Sequence, residues 1–329
     1  MQLSAFTVVD AYPPEVAEGR DRYQDVLRLA EACERAGLTT LWVAEHHFSD
    51  GGVCPAPPVL LAAAGERTRR LRLGVLVSVL PFHNPVELAE QYSLVDRLLG
   101  GRLNLGVGSG YIPLEFAGFG IDPATKRERF DHALEVLLAA FRGDPVAVEG
   151  PGGSAIRLNI SPVQTPHPPL WIAVQRREAL PHVAAKGVNV ALVPYATVQN
   201  VEELAEEIRE FRGHLPSGVT ARVSVALHLY AGDHPKRART ALQRYLDSRL
   251  ATQSSFYQDK VRRDPQHASA STIERSGFAL LGATADVLHG LEPFRRAGVD
   301  EVLGIFDFGG LPSSDVEASV HELGRAWRA

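Results

Sequence analysis

Leu41-Trp42-Val43-Ala44-Glu45-His46-His47-Phe48 runs from an apolar tetrad straight into a carboxylate and two imidazoles, and the glycine-containing loop Ser49-Asp50-Gly51-Gly52 follows. A short apolar run without polar alternation is what a strand buried on both faces looks like, and such strands belong to parallel sheets covered by helices. Similar runs at 3–9, 71–77, 103–107, 170–174, 190–193, 223–230 and 302–306 bring the number to eight. Helical patterns lie between them at 22–36, 57–68, 85–99, 127–141, 177–186, 201–212, 235–255 and 285–297, with a last one at 314–327. An α/β fold, a (β/α)₈ TIM barrel, accounts for this order with nothing left over for a second domain, so a single barrel over 1–329 is expected.

The punctuation agrees: Gly37 and Gly298 stand where helices need C-caps, Thr284 and Ser314 read as N-caps, and Pro85 opens a helix. Two segments break the rhythm. Residues 143–158, with Gly150-Pro151-Gly152-Gly153, read as a small hairpin excursion, and 256–277 read as a long mobile loop of the kind that serves as a lid.

Composition narrows the function. With 45% hydrophobic residues among 329, the chain can bury a large core. Its 34 basic and 39 acidic side chains, net charge -5, are mixed along the sequence without the basic stripe that nucleic acid requires. The start, Met1-Gln2-Leu3-Ser4-Ala5-Phe6, lacks the basic region and apolar length of a signal peptide, and no run reaches the roughly 20 apolar residues that span a bilayer. A cytoplasmic protein without membrane or nucleic-acid partners is expected. Cys33 and Cys54, the two cysteines, have no zinc-like spacing. Adjacent strand residues Glu45, His46 and His47 point to opposite faces, which argues against a metal.

Barrel chemistry gathers at the C-terminal ends of the strands. There the chain offers Glu45-His46-His47, then Ser78 through Pro85, then Gly106-Val107-Gly108-Ser109-Gly110-Tyr111, then Gln175-Arg176-Arg177. Imidazole titrates near working pH and suits proton transfer. The Gly106–Gly110 run is GxGxG, a weak dinucleotide signal, but glycine lets a flat ligand approach the backbone. Two arginines at a helix start can hold a phosphate, or pair with surface carboxylates.

Five segments in order resemble the bacterial luciferase-like, flavin-dependent monooxygenase family over nearly the whole chain: Leu41 through Phe48; Leu73-Gly74 to Leu80-Pro81 with Asn84-Pro85; Asp96-Arg97-Leu98 with Gly100-Gly101-Arg102; Gly106 through Tyr111 with Glu115-Phe116 and Phe119-Gly120; and Phe308-Gly309-Gly310-Leu311-Pro312. The resemblance implies a barrel, usually dimeric, that binds reduced FMN (FMNH2) at its mouth, activates O2 as a flavin C4a-hydroperoxide and oxygenates a small organic substrate, with secondary metabolism as one setting. Carried over by motif, His46 is the acid/base, and Glu45 and His47 set its orientation and charge. Leu76-Val77 falls where the family often has a non-prolyl cis peptide under the flavin. Ser78 offers its N–H or hydroxyl to the ring edge, Gly108, Ser109 and Gly110 border the ring, Tyr111 lies on the substrate side, and Phe6 lines the floor. Gln175, Arg176 and Arg177 stand where the family commonly has a Gly- and Ser-rich phosphate loop. Gly108 and Ser109 replace a thiol and a basic residue of luciferase itself, so light emission does not transfer. The lack of a nicotinamide fingerprint fits a separate flavin reductase as partner. A homodimer through helices near 57–68 and 85–99 is expected by analogy. Two alternatives stay open: a deazaflavin-dependent oxidoreductase of the same fold, and a non-catalytic flavin-binding protein.

Overall fold

Apolar strands wanting cover on both faces are satisfied here by a closed barrel. The computed structural model describes residues 1–13, 16, 21–147, 155–251 and 255–328. Its strands in chain order are β1 (Gln2–Thr7), β2 (Thr40–Val43), β3 (Arg72–Val79), β4 (Leu103–Gly108), β5 (Val146–Ala147), β6 (Ala155–Ile156), β7 (Leu170–Val174), β8 (Asn189–Leu192), β9 (Val223–Ala231), β10 (Ala279–Gly282) and β11 (Glu301–Ile305). Eight of them close in parallel in the order β1-β2-β3-β4-β7-β8-β9-β11 and back to β1. The described helices are α1 (Arg22–Ala36), α2 (Pro57–Arg67), α3 (Pro85–Leu98), α4 (Pro113–Gly118), α5 (Lys126–Phe141), α6 (Leu180–Ala184), α7 (Pro194–Thr197), α8 (Val201–Gly213), α9 (Pro235–Ala251), α10 (Ser255–Arg263), α11 (Ala270–Arg275), α12 (Thr284–Ala297) and α13 (Ser313–Arg328). No described helix is long and apolar enough to cross a membrane.

Local chemistry sets the helix ends. Asp21 accepts from the N–H groups of Tyr23 and Gln24 to start α1, and Asn84 does the same for Val86 and Glu87 ahead of Pro85. Gly37 and Gly298 end α1 and α12 with φ of 73° and 91°, where any Cβ is strained. Thr284 and Ser314 are not caps: Ala283 precedes α12, and α13 already begins at Ser313.

The barrel floor is polar. Trp42 and Trp171 meet edge to face at 4.9 Å, and a buried indole N–H needs an acceptor. Trp42 donates to Glu301 at 3.2 Å, and Trp171 donates to the Ser224 hydroxyl at 3.0 Å, which in turn donates to Glu301 at 2.9 Å. Ser4 donates to the same carboxylate at 2.5 Å. These contacts fix which residues face inward, and with a strand period of two they place Phe6, Ala173, Gln175, Ala226 and His228 inside the barrel above the floor.

The hairpin expected at 143–158 is met at its base, and the reading of 256–277 and the strand count need correction. The β5–β6 pairing forms the base of the 143–158 hairpin, while Gly150 through Gly153 lie outside the described residues. The segment 256–277 is not a structureless loop: it carries α10, a 3₁₀ turn (Pro265–Ala268) and α11. The buried Tyr257 donates to the His267 carbonyl at 2.7 Å, and Lys260 donates to the Tyr195 carbonyl at 3.0 Å, tying the segment to α7. The strand β10 then pairs with the upper half of β9, from Ala279 opposite His228 to Gly282 opposite Ala231, an element absent from the eight expected.

Candidate active site

Strand alternation splits Glu45, His46 and His47 into two networks. His46 Nδ1 lies 2.9 Å from Glu115 Oε1, and the same oxygen accepts the His47 backbone N–H at 3.0 Å. Glu115, in α4 just beyond Tyr111, is 1% exposed, so the carboxylate is rigidly placed. A carboxylate at Nδ1 takes the proton there and leaves the Nε2 lone pair as the basic site. Nε2 has no hydrogen-bond partner among the described residues.

Glu45 faces the other way. Its Oε1 meets His47 Nε2 at 3.1 Å and His83 Nε2 at 2.8 Å, and its Oε2 accepts the Ser78 hydroxyl at 3.0 Å and the Val79 N–H at 3.2 Å. Burial alone would raise its pKa, but the hydrogen bonds from His47 and His83 outweigh that and hold it at about 2. Burial pulls His83 down, and Glu45 more than reverses that, so its pKa is raised. Two expectations are thereby corrected: Glu115, not Glu45 or the His47 side chain, orients His46, and the Ser78 hydroxyl is turned to Glu45 instead of the mouth.

The rim follows β3 and β4. The Leu76-Val77 peptide is cis. A Cβ on Gly108 would meet Val77 Cγ2 at 2.6 Å, and Gly110 has φ 75°, so both positions need glycine. Ser109, Gly110 and Tyr111 are half-buried, as are the inward-facing Ala173 and Gln175, so an opening runs between β4 and β7. The Tyr111 ring stands edge-on to His46 at 6.3 Å, and its hydroxyl is hydrogen-bonded with Gln175. Phe6 lies inward below. At the ends of β1 and β2, Val9 (φ 56°) and Phe48 (φ 61°) hold left-handed backbone, which costs roughly 1–3 kcal/mol per residue and concentrates at functional sites.

The two arginines after β7 part company. Arg177 turns to α8, 2.6 Å from Glu210 and 3.6 Å from Glu206. Arg176 stays on the rim side, where it and Arg127 act on half-buried Lys126, whose ammonium is 3.4 Å from the Gly110 carbonyl. Burial first, then those two arginines, lower the Lys126 pKa. A cluster of like charges beside a glycine rim suits a bound phosphate. Lys126 is not marked in the sequence because Lys126-Arg127-Glu128-Arg129 reads as the solvated start of a helix, far along the chain from Gln175.

Arg249 of α9 donates to the Gly51 carbonyl and lies 5.0 Å from the Tyr245 ring centre. Tyr195 and Tyr245 face each other hydroxyl to hydroxyl at 3.3 Å. A cavity of about 600 Å³, lined in part by Tyr12, Ser49, Asp50 and Leu114, opens beyond the 49–52 turn.

Comparison with known proteins adds the following. The family model for luciferase-like monooxygenases matches residues 1–301. The uncharacterized protein y4wF of Sinorhizobium fredii is 38% identical over 211 residues, 64% of this chain and 61% of that one. The 4-hydroxyprotoasukamycin monooxygenase of Streptomyces nodosus subsp. asukaensis is 44% identical over 118 residues, 36% of this chain and 32% of that one. The chain thus spans less than two thirds of the length of these relatives. The oxygenase component of the flavin-dependent trigonelline monooxygenase of Acinetobacter baylyi is 23% identical over 260 residues, 73% of this chain and 68% of that one. Among solved structures, the monooxygenase RslO1 of Streptomyces bottropensis superposes with a TM-score of 0.83 at 22% identity, covering 98% of both chains. The oxygenating constituent of 3,6-diketocamphane monooxygenase of Pseudomonas putida, in complex with FMN, gives 0.79 at 17% identity, covering 99% and 97%. An F420-dependent secondary alcohol dehydrogenase shares the fold at 0.73 and 17% identity, covering 98% and 97%.

Proposed function

Because this chain belongs to the luciferase-like monooxygenase family, we propose that it is the oxygenase component of a two-component flavin monooxygenase, acting in the cytoplasm on a small organic substrate with reduced FMN from a separate reductase. The observation that carries this reading is His46, fixed through Nδ1 by buried Glu115 and presenting Nε2 at a glycine-rimmed barrel mouth. It is supported by a relative named as an oxygenase component and by a structural neighbour solved with FMN.

Reduced FMN, when bound, supplies the two electrons that let one atom of O2 enter the substrate while the other leaves as water. The protein binds, orients and manages protons. Leu76, Val77, Gly108, Ser109 and Gly110 would hold the flat ring with Phe6 at the floor, and Gln175 is hydrogen-bonded with Tyr111, which would face the substrate. Lys126 and Arg176, with Arg127 adding charge, would hold the phosphate, while Arg177 is turned to Glu210. His46 Nε2 takes and returns a proton beside the reacting atoms, and Glu115 stabilises the imidazolium formed.

The phosphate assignment is tested with Lys126→Ala and Arg176→Ala combined. FMN affinity is expected to fall by roughly tenfold or more, the scale of lost charge-assisted hydrogen bonds, while riboflavin affinity stays unchanged. Equal losses for both flavins, or none, contradict it.

The homodimer is proposed on helix faces left bare: Val59 of α2 is 71% exposed, and Leu94 and Leu98 of α3 are 51% and 54% exposed. A single-chain mass by light scattering contradicts it.

A further inference from the structure

Glu115 holds His46 at Nδ1, but one hydrogen bond fixes one corner of an imidazole and leaves the ring free to swing about it. The second restraint is backbone. A Cβ built on Gly52 would meet His46 Cβ and Cδ2 at 2.6 Å and Cγ at 2.8 Å, so the main chain of residue 52 packs flush on the ring edge that leads to Nε2. Gly52 has no left-handed φ, so this close approach, and not the backbone angle, is what requires glycine there.

Two adjacent glycines cannot hold such a wall by side-chain packing, yet Gly51 and Gly52 are both buried. The chain on either side is pinned. The Ala11 N–H donates to the Asp50 carbonyl at 2.9 Å, the Val53 N–H to the Val9 carbonyl at 2.9 Å, and the His46 N–H to the Cys54 carbonyl at 3.2 Å. The Gly51 carbonyl takes its donor from α9: Arg249, 198 residues along the chain, bonds to it. Arg249 is 5% exposed and fully engaged by the protein. Of the charges near the buried Asp10 carboxylate, Arg249 acts on it most strongly, ahead of Arg22, and the Tyr245 ring centre lies 5.0 Å from the guanidinium.

We propose that Gly52 and Arg249 are positioning residues for His46. Arg249, neutralised by Asp10, holds the Gly51 carbonyl with a charge-assisted bond. The main chain of Gly52 then fixes the imidazole, so that Nδ1 stays on Glu115 and Nε2 stays aimed at the mouth. Arg249 touches neither substrate nor flavin in this role. A misplacement of about 1 Å is enough to cost a proton-transfer group roughly 10²-fold, which is why a rigid wall matters here. The inference rests on the reading of His46 as that group.

The test reads the ring itself. Long-range proton–nitrogen-15 correlation spectra of the flavin-free protein, labelled at histidine and recorded at about pH 8.5, above the ordinary imidazole range, report which nitrogen carries the proton. His46→Ala identifies the His46 signals. The parent protein is expected to show one Nδ1-protonated form. In Gly52→Ala and in Arg249→Met the share of the Nε2-protonated form is expected to rise, changing the ratio of the two forms by roughly tenfold as the ring leaves Glu115. Arg249→Lys, which keeps a charge beside Asp10 and a donor for Gly51, is expected to return the spectrum towards that of the parent. Asp10→Asn with Arg249→Met removes both buried charges together, stands in if the single variant does not fold, and is expected to show the same mixture. A parent-like His46 spectrum in folded Gly52→Ala, in folded Arg249→Met or in the charge-balanced pair overturns the proposal. Titration with reduced FMN is a separate measurement, so failure of the flavin to bind counts against the flavin reading and leaves the positioning result standing.

Discussion

Replacement of His46 by alanine is expected to lower incorporation of labelled oxygen into product by roughly 10²- to 10⁴-fold, the usual worth of a positioned acid/base group. Reduced-FMN affinity should change little, because the proposed flavin site uses the backbone of β3 and β4 and the charges of Lys126 and Arg176, not the His46 side chain. The size of the effect follows from geometry. Glu115 holds Nδ1–H at 2.9 Å and thereby fixes which nitrogen is basic, so no other side chain can replace Nε2 at that place. Glu115→Gln should then give a smaller loss together with an altered pH–rate profile, since the amide no longer stabilises the imidazolium. Turnover by His46→Ala equal to that of the parent protein sinks the assignment.

The second large effect is on stability. Glu45 accepts four hydrogen bonds behind the mouth, and its pKa falls from 4.5 to about 2. That difference corresponds to about 3 kcal/mol of folding free energy at neutral pH. Because the folded-state value is the lower one, the contribution is complete above 4.5 and is lost as pH falls towards about 2. His83 behaves oppositely: its pKa is raised from 6.5, so its share is complete below 6.5 and is lost as pH climbs through the raised value. The network is strongest between those limits. Urea unfolding at about pH 3, about pH 5.5 and about pH 8 should show Glu45→Gln less stable than the parent at the middle value, with the gap closing at the acid end. A gap that stays constant with pH contradicts this account.

The barrel was legible because burial on both faces leaves apolar runs such as Leu41-Trp42-Val43-Ala44, which sequence shows directly. Residues 255–275 were not, because polar and charged side chains make up most of the segment while the helices are held by a few anchors, Tyr257, Lys260 and Ile273. β10 is four residues, Ala-Leu-Leu-Gly, with no β-branched side chain to mark it. At the site, the His46 segment was readable from its position after a strand, but its partner Glu115 lies 69 residues away and only the fold brings them together. Arg176 and Arg177 look like one feature in sequence, yet neighbouring residues at a helix start diverge, and Glu206 and Glu210 claim the second. His228 stands between Leu227 and Leu229 and reads as core. Arg249 reads as the polar face of a helix, because nothing local shows that Gly51 waits across the mouth.

The most direct test of the central claim is anaerobic titration of the purified protein with photoreduced FMN and, in parallel, with a reduced deazaflavin, followed by admission of O2 in the presence of the reductase-free protein and measurement of flavin reoxidation. Saturable binding of reduced FMN, with reoxidation slower than in free solution, is the predicted result. Binding of the deazaflavin alone would contradict it and make the chain an oxidoreductase of that second kind, and binding of neither would remove flavin chemistry from this barrel.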